Sequence, residues 1–363
     1  MTNPSCVTLE KKYLMGKLSA TMRACVFDAA APSGISLLPT KEVPTVVSAP
    51  GLFHPGNVIC RVCAFGVNPV DSKYGIGDKF PETWMDWSAR RATGQVPGFD
   101  FSGVVVKAPA GCDFKEGDEV FGFACNPTSF VRQGLAGSFA EYCSPPLDQI
   151  ARKPANLPHE LAAALPLVGT TALQALEENG FKSESGQRVL IVGASGGVGH
   201  VAVQVAAILG AHVVGVCSGS NEGFVRECGA RTVLDYRGGD IFEKISTEAA
   251  TRGAFDMVLD CVNSADLRDQ SVSYRHRIMA MDGVLNRDAG AKYVVLGGHP
   301  KEWIVAGVKR LTGIDLFAKN FELFWIKMPN SRRHLELLGS LVQRSRLCPR
   351  ALSVKYVPAH DCM

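Results

Sequence analysis

The chain has 363 residues, of which 46% are hydrophobic and 20% charged, and its formal net charge is +3. This composition is typical of a globular protein long enough for two domains, and it excludes disorder as the default state. The small net charge, with Lys and Arg scattered among Asp and Glu, argues against a nucleic-acid-binding protein, and no apolar run predicts a membrane span.

Residues 1–21 are predicted to be an extension in front of the first domain. They contain Lys11, Lys12 and Lys17 against one acid, Glu10. No arginine precedes Arg23, so the match to a mitochondrial presequence is weak. A cytoplasmic location is therefore predicted, with a mitochondrial one as the alternative. The 12 cysteines, without a secretory signal, are expected to be reduced thiols.

Residues 22–153 are predicted to form a β-rich domain. Runs of β-branched and aromatic residues alternate with Gly and Pro turns, at spacings typical of a small barrel or sandwich. The predicted strands are Ala24–Phe27, Val58–Ala64, Phe101–Val106, Glu119–Phe121 and Phe139–Cys143. Cys60 and Cys63 would point to opposite faces of the second strand, so a shared metal there is not expected.

Residues 154–329 are predicted to form a parallel sheet covered by helices on both faces, because strand and helix patterns alternate. The predicted strands are Val189–Val192, His212–Cys217, Thr232–Leu234, Met257–Asp260 and Tyr293–Leu296. The predicted helices are Val198–Leu209, Glu222–Cys228, Ile241–Ala250 and Leu267–Met281. The fold class is thus α/β with a doubly wound dinucleotide-binding domain.

A glycine-rich turn follows the first of these strands and opens its helix. Its residues are Gly193, Ala194, Ser195, Gly196, Gly197, Val198 and Gly199. Glycine at 193 permits a tight turn, and Gly196 and Gly197 let backbone N–H groups approach a pyrophosphate. Because the turn stands between a predicted strand and helix, it predicts a dinucleotide site.

The end of the next strand predicts which nicotinamide cofactor is bound. An acid there would accept the ribose 2′-hydroxyl of NADH, whereas the sequence has Ser218, Ser220 and Asn221, which can donate to a 2′-phosphate. Tyr236 and Arg237 could reach the same place. NADPH is therefore the predicted cofactor, although Glu222 would favour NADH if it pointed inward.

Several motifs in order resemble the zinc-free, quinone oxidoreductase-like branch of the medium-chain dehydrogenase/reductase superfamily. The resemblance runs from about Met22 onward. The motifs are Phe65–Asp71, Pro97–Gly103, Gly117–Val120, Gly137–Tyr142, Gly169–Ala172 and Gly193–Gly199. It implies a GroES-like β-barrel domain, a Rossmann domain and catalysis in the cleft between them.

The same resemblance implies site residues. Asn68 and Phe99 stand where the zinc-dependent branch has metal ligands, so no metal is expected. The implied cofactor contacts are Thr171 near the nicotinamide, and Ser195, Gly197, Val198, Ser218 and Tyr236 on the phosphates. Leu296 and Gly297, at the end of the last predicted strand, complete the predicted set. Asn68 is the candidate catalytic donor to a substrate oxygen, or else an Asn that stabilises the turn before Pro69.

The predicted function is direct hydride transfer from NADPH to a small-molecule quinone or α,β-unsaturated carbonyl. The alternative is a non-catalytic NADPH-binding sensor or scaffold. Related enoyl-thioester reductases have a tyrosine where Lys79 and Phe80 stand here, which disfavours a fatty-acyl substrate. Residues 330–363 are predicted to return to the β-rich domain and to end short of the family's closing strand. The segment Asn320–Ile326 is predicted to be an edge strand of the kind that this family often pairs in a homodimer.

Overall fold

A computed structural model describes residues 19–28, 35–46, 56–73, 94–124, 137–262, 273–298, 300–344 and 346–349. The chain divides into two compact units. The first holds the described residues up to Leu167 and Met328–Gly339, and the second holds Val168–Lys327 and the described residues from Ser340 onward. The boundaries predicted at residues 22, 154 and 330 remain predictions.

Antiparallel sheets build the first unit. A two-stranded sheet pairs β1 (Thr21–Phe27) with β2 (Ile35–Glu42). A five-stranded sheet has the order β6-β3-β4-β5-β7. Its strands are β3 (Ile59–Gly66), β4 (Asp100–Lys107), β5 (Glu119–Phe123), β6 (Tyr142–Cys143) and β7 (Ile150–Arg152). The short helices α1 (Pro69–Lys73) and α2 (His159–Ala163) follow β3 and β7 in the chain.

This unit confirms the predicted β-rich fold, and its apolar core lies between the strands. Buried residues of the core include Val58, Phe101, Val105, Val120 and Ile150. Cys60 is buried and Cys63 is exposed, as expected for opposite faces of β3. β2 and β7 were not predicted, because Pro39 interrupts the apolar pattern of β2 and β7 is only 3 residues long.

Six parallel strands form the sheet of the second unit, in the order β10-β9-β8-β11-β12-β13. The strands are β8 (Arg188–Val192), β9 (His212–Cys217), β10 (Thr232–Asp235), β11 (Met257–Asp260), β12 (Lys292–Val295) and β13 (Phe321–Leu323). This is the doubly wound dinucleotide-binding order, which starts at the centre and switches direction after the third strand. The predicted Rossmann fold is confirmed, and β13 is an edge strand as predicted.

Helices precede, connect and follow these strands in the chain. They are α3 (Pro166–Glu177), α4 (Gly197–Ile208), α5 (Glu222–Glu227), α6 (Ile241–Arg252), α7 (Tyr274–Ala280), α8 (Pro300–Thr312) and α9 (Arg332–Gln343). Of the helix predicted at Leu267–Met281, residues 263–272 lie outside the described residues. α3 and α8 were not predicted, because each begins at a proline and carries glycines or β-branched residues that weaken the helical pattern. No described helix is long and apolar enough to cross a membrane.

Two buried glutamines hold backbone segments to the second unit. Gln174 of α3 donates from Nε2 to the Lys327 carbonyl at 2.8 Å and accepts from the Lys327 N–H at 2.9 Å. Gln204 of α4 forms the same pair of bonds with Cys348, at 3.1 and 2.7 Å. Each amide therefore satisfies both polar groups of a backbone residue that has no strand partner in the sheet.

Candidate functional site

The glycine-rich turn joins β8 to α4 at the carboxyl edge of the parallel sheet. Gly193 has φ +75°, a left-handed conformation that favours glycine. The N–H groups of Gly193 and Ala194 both donate to the Val216 carbonyl, at 3.1 and 2.9 Å, and the Gly196 N–H donates to the Gly193 carbonyl at 2.9 Å. The turn is thus fixed against β9, and its shape does not depend on a ligand.

The glycines of the turn serve two different purposes. A Cβ on Gly199 would lie 2.1 Å from the Gly193 carbonyl oxygen, so the fold requires glycine there. A Cβ on Gly197 would meet only Val168 Cγ1, at 3.6 Å. The nearest atom to a Cβ on Gly196 would be the Gly193 carbonyl oxygen, at 3.2 Å. The fold thus tolerates a side chain at 197 far better than at 199, which is consistent with a ligand that approaches the backbone there.

The amino terminus of α4 offers N–H groups to an anion. The helix starts at Gly197, its N-cap Gly196 has no capping side chain, and no acid stands in its first turn. The first N–H groups of a helix have no intrahelical acceptor, and the helix dipole favours negative charge there. These residues, with Ser195 and Val198 beside them, fit the pyrophosphate of a dinucleotide cofactor.

Polar side chains from the turn and from the end of β9 meet at the same edge. Asn221 Nδ2 donates to Ser195 Oγ and to Ser218 Oγ, at 3.2 Å in both cases. The hydroxyl oxygens of Ser218 and Ser220 lie 3.0 Å apart. The structure therefore brings three predicted cofactor residues, Ser195, Ser218 and Asn221, into one hydrogen-bonded cluster. We call these three residues and Ser220 the serine cluster.

Tyr236 and Arg237 follow β10, next to the end of β9. The Tyr236 N–H donates to the Cys217 carbonyl at 3.2 Å, and 43% of the tyrosine is exposed. The Arg237 guanidinium carbon lies 5.6 Å from the centre of the Tyr236 ring. An exposed ring with a cation beside it can contact a nucleotide, and the contact of Tyr236 with a cofactor remains a prediction.

Asp235 is a residue of this edge that the sequence prediction missed. It is the last residue of β10 and pairs in parallel register with Cys217 of β9. A Cβ on Gly219 would lie 2.6 Å from Asp235 Oδ2, so the carboxylate contacts the turn that follows Ser218. The local sequence had indicated that no acid lies at the end of β9. The structure shows that this was wrong, because the Asp235 carboxylate lies beside it. Parallel neighbours end at the same edge, so the position of Asp235 directly after the predicted strand Thr232–Leu234 was the available signal.

The negative charge of Asp235 affects the pKa of Cys217, the last residue of β9. Burial raises the pKa of the Cys217 thiol, and the negative charges of Asp235 and Glu222 raise it further. Glu222 accepts a hydrogen bond from Arg226 Nε at 2.8 Å, so its carboxylate is paired with a cation. Lys244 of α6, a second residue that the prediction missed, donates from Nζ to the Asp235 carbonyl at 2.8 Å.

The remaining predicted cofactor residues lie in the same unit. Thr171 is buried on α3, one helical turn beyond Val168, which faces Gly197. Leu296 and Gly297 directly follow β12, and the Leu296 N–H donates to the Asp260 carbonyl at 3.1 Å. Both therefore belong to the carboxyl edge of the sheet, as does the turn. Their contact with a cofactor remains a prediction.

Asn68, the predicted catalytic residue, lies in the first unit and is held by two buried acids. Its Nδ2 donates to Asp100 Oδ2 at 2.9 Å, and its backbone N–H donates to Asp71 Oδ2 at 2.6 Å. Asp100 Oδ1 also accepts from the Leu167 N–H at 3.0 Å. The side chain is thus fixed in orientation, and one of its two amide hydrogens is committed to Asp100.

The two acids have raised pKa values. Burial raises the pKa of Asp71 to about 6, against the lowering effect of the backbone N–H groups of Asn68 and Phe99. Burial also raises the pKa of Asp100 well above its usual value, and the charge of Asp71 adds to this effect, while the Asn68 amide and the Leu167 N–H oppose it. The cluster around Asn68 therefore disfavours negative charge.

No metal centre appears among the residues that the structure describes. Within them, no group of three or more His, Cys, Asp or Glu side chains could hold a metal ion. Phe99, at one position where the zinc-dependent branch has a ligand, is buried and apolar. At the other, Asn68 bonds to Asp100. The residues that the resemblance compared with zinc ligands thus fill structural roles here.

The residues Gly193 to Gly197 also match the Gly-x-Ser-x-Gly pattern of a hydrolase nucleophile elbow, with Ser195 at its centre. An elbow holds its serine in a strained conformation at the top of the turn. In this chain the positive φ belongs to Gly193, and Ser195 does not have one. Ser195 bonds to Asn221 and belongs to the serine cluster. The geometry therefore favours an anion-binding turn over a nucleophile elbow.

Lys79 and Phe80 lie outside the described residues. Residues 350–363, which are predicted to end short of the family's closing strand, also lie outside them. The predictions made for these segments stay predictions.

Comparison with known proteins gives matches in both units. The alcohol dehydrogenase GroES-like domain matches residues 54–155, and the zinc-binding dehydrogenase family matches residues 197–277. The human NAD(P)H oxidoreductase RTN4IP1, mitochondrial, is 34% identical over 306 residues, which cover 76% of this chain and 68% of that protein. The matches to the bovine and mouse proteins of the same name cover 54% of each, about half of their length.

Two further relatives are named for different substrates. The trans-enoyl reductase pgmF of Aspergillus terreus is 32% identical over 251 residues, which cover 67% of this chain and 65% of that protein. The solved structure of the quinone oxidoreductase from Coxiella burnetii is 26% identical, with a TM-score of 0.65 over 90% of this chain and 89% of the other. Both relatives are similar to the present chain across both of its units.

Proposed function

Because this chain belongs to the medium-chain dehydrogenase/reductase superfamily of nicotinamide-dependent oxidoreductases, we propose that it is an NADPH-dependent reductase of quinones or α,β-unsaturated carbonyls that works without zinc. The observation that carries this proposal is the glycine-rich turn with the serine cluster beside it. The turn supplies backbone donors for a pyrophosphate, and the cluster supplies neutral donors at the point where a 2′-phosphate would lie.

The preference for NADPH is supported by the donors at the end of β9. Ser218, Ser220 and Asn221 carry hydroxyl and amide donors, and Arg237 carries a cation next to Tyr236. Relatives named NAD(P)H oxidoreductase are compatible with either cofactor. The proposal predicts a lower dissociation constant for NADPH than for NADH, and isothermal titration calorimetry on the full chain tests it.

The substrate class is supported by the relatives. One is named for a quinone and one for an enoyl group, and both groups contain an electron-poor carbon that accepts hydride. A bound nicotinamide supplies that hydride from its C4 atom. The residues of the chain would position the reactants and donate a hydrogen bond to the substrate oxygen.

We propose Asn68 as that donor. Asp100 and the backbone contact with Asp71 hold its amide in one orientation, so little orientational freedom has to be lost when substrate binds. With Asn68→Ala, we expect kcat to fall about tenfold or more while the dissociation constant of NADPH stays within twofold, as judged from typical hydrogen-bond contributions. An unchanged kcat would leave Asn68 with its structural role alone.

Zinc independence is supported by the side chains at the positions of the zinc ligands. Phe99 offers no ligand atom, and Asn68 is engaged with Asp100. Elemental analysis of the purified protein should find substoichiometric zinc, and chelators should leave its turnover unchanged. Stoichiometric zinc that is required for activity would refute this part of the proposal.

The decisive experiment is turnover. Purified full-length protein should oxidise NADPH in the presence of at least one member of a panel of quinones and enones, and a fatty-acyl enoyl thioester serves as the disfavoured comparison. Tight NADPH binding with no turnover on any member would favour the non-catalytic sensor or scaffold. Failure to bind either nicotinamide cofactor would refute both.

Two proposals concern context. We propose a homodimer, because β13 is an edge strand and its neighbour α8 exposes Ile304 and Leu311. Light scattering tests it.

For the compartment, the relatives named mitochondrial support the mitochondrial alternative over the predicted cytoplasmic location. Fractionation of cells that express the tagged chain separates the two.

A further inference from the structure

We propose that Asp235 is a specificity-determining residue of the cofactor site, whose carboxylate weakens the binding of a 2′-phosphate and so keeps NADH usable beside NADPH. This inference rests on the proposed function, because it concerns the same site. The segment that follows β9 did not indicate such a role, because no acid stands between Cys217 and Glu222.

The position of Asp235 follows from the parallel register. It is the last residue of β10, and it pairs with Cys217, the residue before Ser218. Its Oδ2 would lie 2.6 Å from a Cβ on Gly219, so the carboxylate packs against the backbone between Ser218 and Ser220. Only glycine at 219 leaves room for this contact. The carboxylate therefore lies beside the donors that would hold a 2′-phosphate.

The Lys244 ammonium lies near this carboxylate but forms no ion pair with it. Asp235 Oδ1 accepts a neutral hydrogen bond from the Arg237 N–H at 2.9 Å. The Lys244 ammonium bonds to the carbonyl oxygen of the same residue, at 2.8 Å. Within the part of the chain that the structure describes, Asp235 has no ion pair. Its negative charge is therefore only partly offset and can still act on a ligand.

A second acid, Glu222, stands near the same edge but is a weaker candidate. Its carboxylate is paired with Arg226 on α5 at 2.8 Å, and its side chain is 46% exposed to solvent. Pairing and exposure both screen its charge. Asp235 is half-buried and unpaired, so its field at the serine cluster is the stronger of the two. This field opposes a phosphate and tolerates a hydroxyl.

The competing explanation is purely structural. A carboxylate that accepts from the N–H two residues ahead forms an Asx turn, and this could be the whole role of Asp235. Asparagine keeps that acceptor and removes the charge. The substitution Asp235→Asn therefore separates the turn from the electrostatic effect.

The experiment measures the dissociation constants of NADPH and NADH for the full-length parent, for Asp235→Asn and for Asp288→Asn. Asp288 is exposed and precedes β12, at the opposite edge of the parallel sheet, so its variant is matched in charge. We expect Asp235→Asn to bind NADPH about tenfold more tightly, with NADH unchanged or weaker, since one charge near a phosphate has an effect of this size. The ratio of the NADPH dissociation constant to the NADH dissociation constant should be the same for Asp288→Asn as for the parent.

The dependence on ionic strength is a second measurement, and a purely structural role of Asp235 would not affect it. The difference between parent and Asp235→Asn should shrink as ionic strength rises, because it is electrostatic. If the parent binds NADPH and the ratio of the folded Asp235→Asn protein equals that of the parent, the inference is wrong and the proposed function stands. If the parent binds neither nucleotide, both fail. Should Asp235→Asn fail to fold, Asp235→Ser, which keeps a turn acceptor, takes its place in the same comparison.

Discussion

The carboxyl edge of the parallel sheet and the acid cluster around Asn68 are built on opposite principles. At the sheet edge, backbone N–H groups and neutral hydroxyls are presented to a ligand, and the nearest residues in space are mostly near in sequence. Around Asn68, buried acids are held by partners far apart in the chain, such as Asp100 and Leu167. The sheet edge thus offers an anion mainly uncharged donors, whereas the cluster around Asn68 orients one amide with buried acceptors.

The largest loss of stability at the carboxyl edge of the sheet should come from adding a side chain where the fold requires glycine. A valine at Gly199 would place its Cβ 2.1 Å from the Gly193 carbonyl oxygen, a backbone atom that cannot move alone. We expect Gly199→Val to lower the free energy of unfolding by about 3 kcal/mol or more. Thermal and urea unfolding measure it. A stability equal to that of the parent would show that the turn adopts another conformation in solution.

The acid cluster predicts a stability that depends on pH. Burial raises the pKa of Asp71 in the folded protein to about 6, from an ordinary value of 3.8 that the unfolded chain retains. Folding therefore favours its protonated form, so its stabilising contribution is complete below pH 4 and is lost as the pH rises to 6. The full loss amounts to about 3 kcal/mol.

The test of this dependence is urea unfolding of the parent and of Asp71→Asn at several pH values between 4 and 7. The variant keeps an acceptor for the Asn68 N–H and should lose the part of the dependence that comes from Asp71, whereas Asp100, whose pKa is also raised, keeps its own part. Glu116→Gln, at an exposed position of the same unit, is the matched control and should retain it. A parent whose stability does not fall between pH 4 and 6 would contradict the assignment.

A new charge at the serine cluster should affect the cofactor and leave the fold intact. Ser218→Asp places a carboxylate where a 2′-phosphate is expected, and we predict that NADPH binding weakens about 100-fold, or about 2.7 kcal/mol. NADH binding should change by less than tenfold. Calorimetry gives both values. A parent that already prefers NADH would make the predicted role of Ser218 wrong.

The smallest expected effect comes from Gly197→Ala. The added Cβ would meet only Val168 Cγ1, at 3.6 Å, so the free energy of unfolding should stay within about 0.5 kcal/mol of the parent. The same methyl group would stand in the path of a pyrophosphate, and NADPH and NADH should both bind about tenfold more weakly. Equal losses for the two cofactors distinguish this effect from that of Ser218→Asp. Unchanged affinity for both would remove Gly197 from the site.

The strands of the parallel sheet and the position of the turn were predictable because each depends on a local pattern. Val189–Val192 is a short apolar run that ends at glycine, and the helix that follows is continuous. Asp235 was not predicted, since its relation to Ser218 depends on which strands are neighbours and in what register. The contacts of Asn68 were missed for the same reason: Asp100 is 32 residues away in sequence. Local sequence predicts the elements, and pairing decides which of their ends meet.

The bonds from Gln174 to Lys327 have a consequence for how this gene could have been assembled. One side chain near the start of the segment Val168–Lys327 bonds to its last residue, so this long stretch of chain begins and ends at nearly the same point. A segment with adjacent ends can be inserted into a host chain, or removed from one, without stretching the host. The segment Val168–Lys327 thus has the close ends of an insertable segment, held together by Gln174, and the described residues from Ser340 onward add a separate stretch to the same unit.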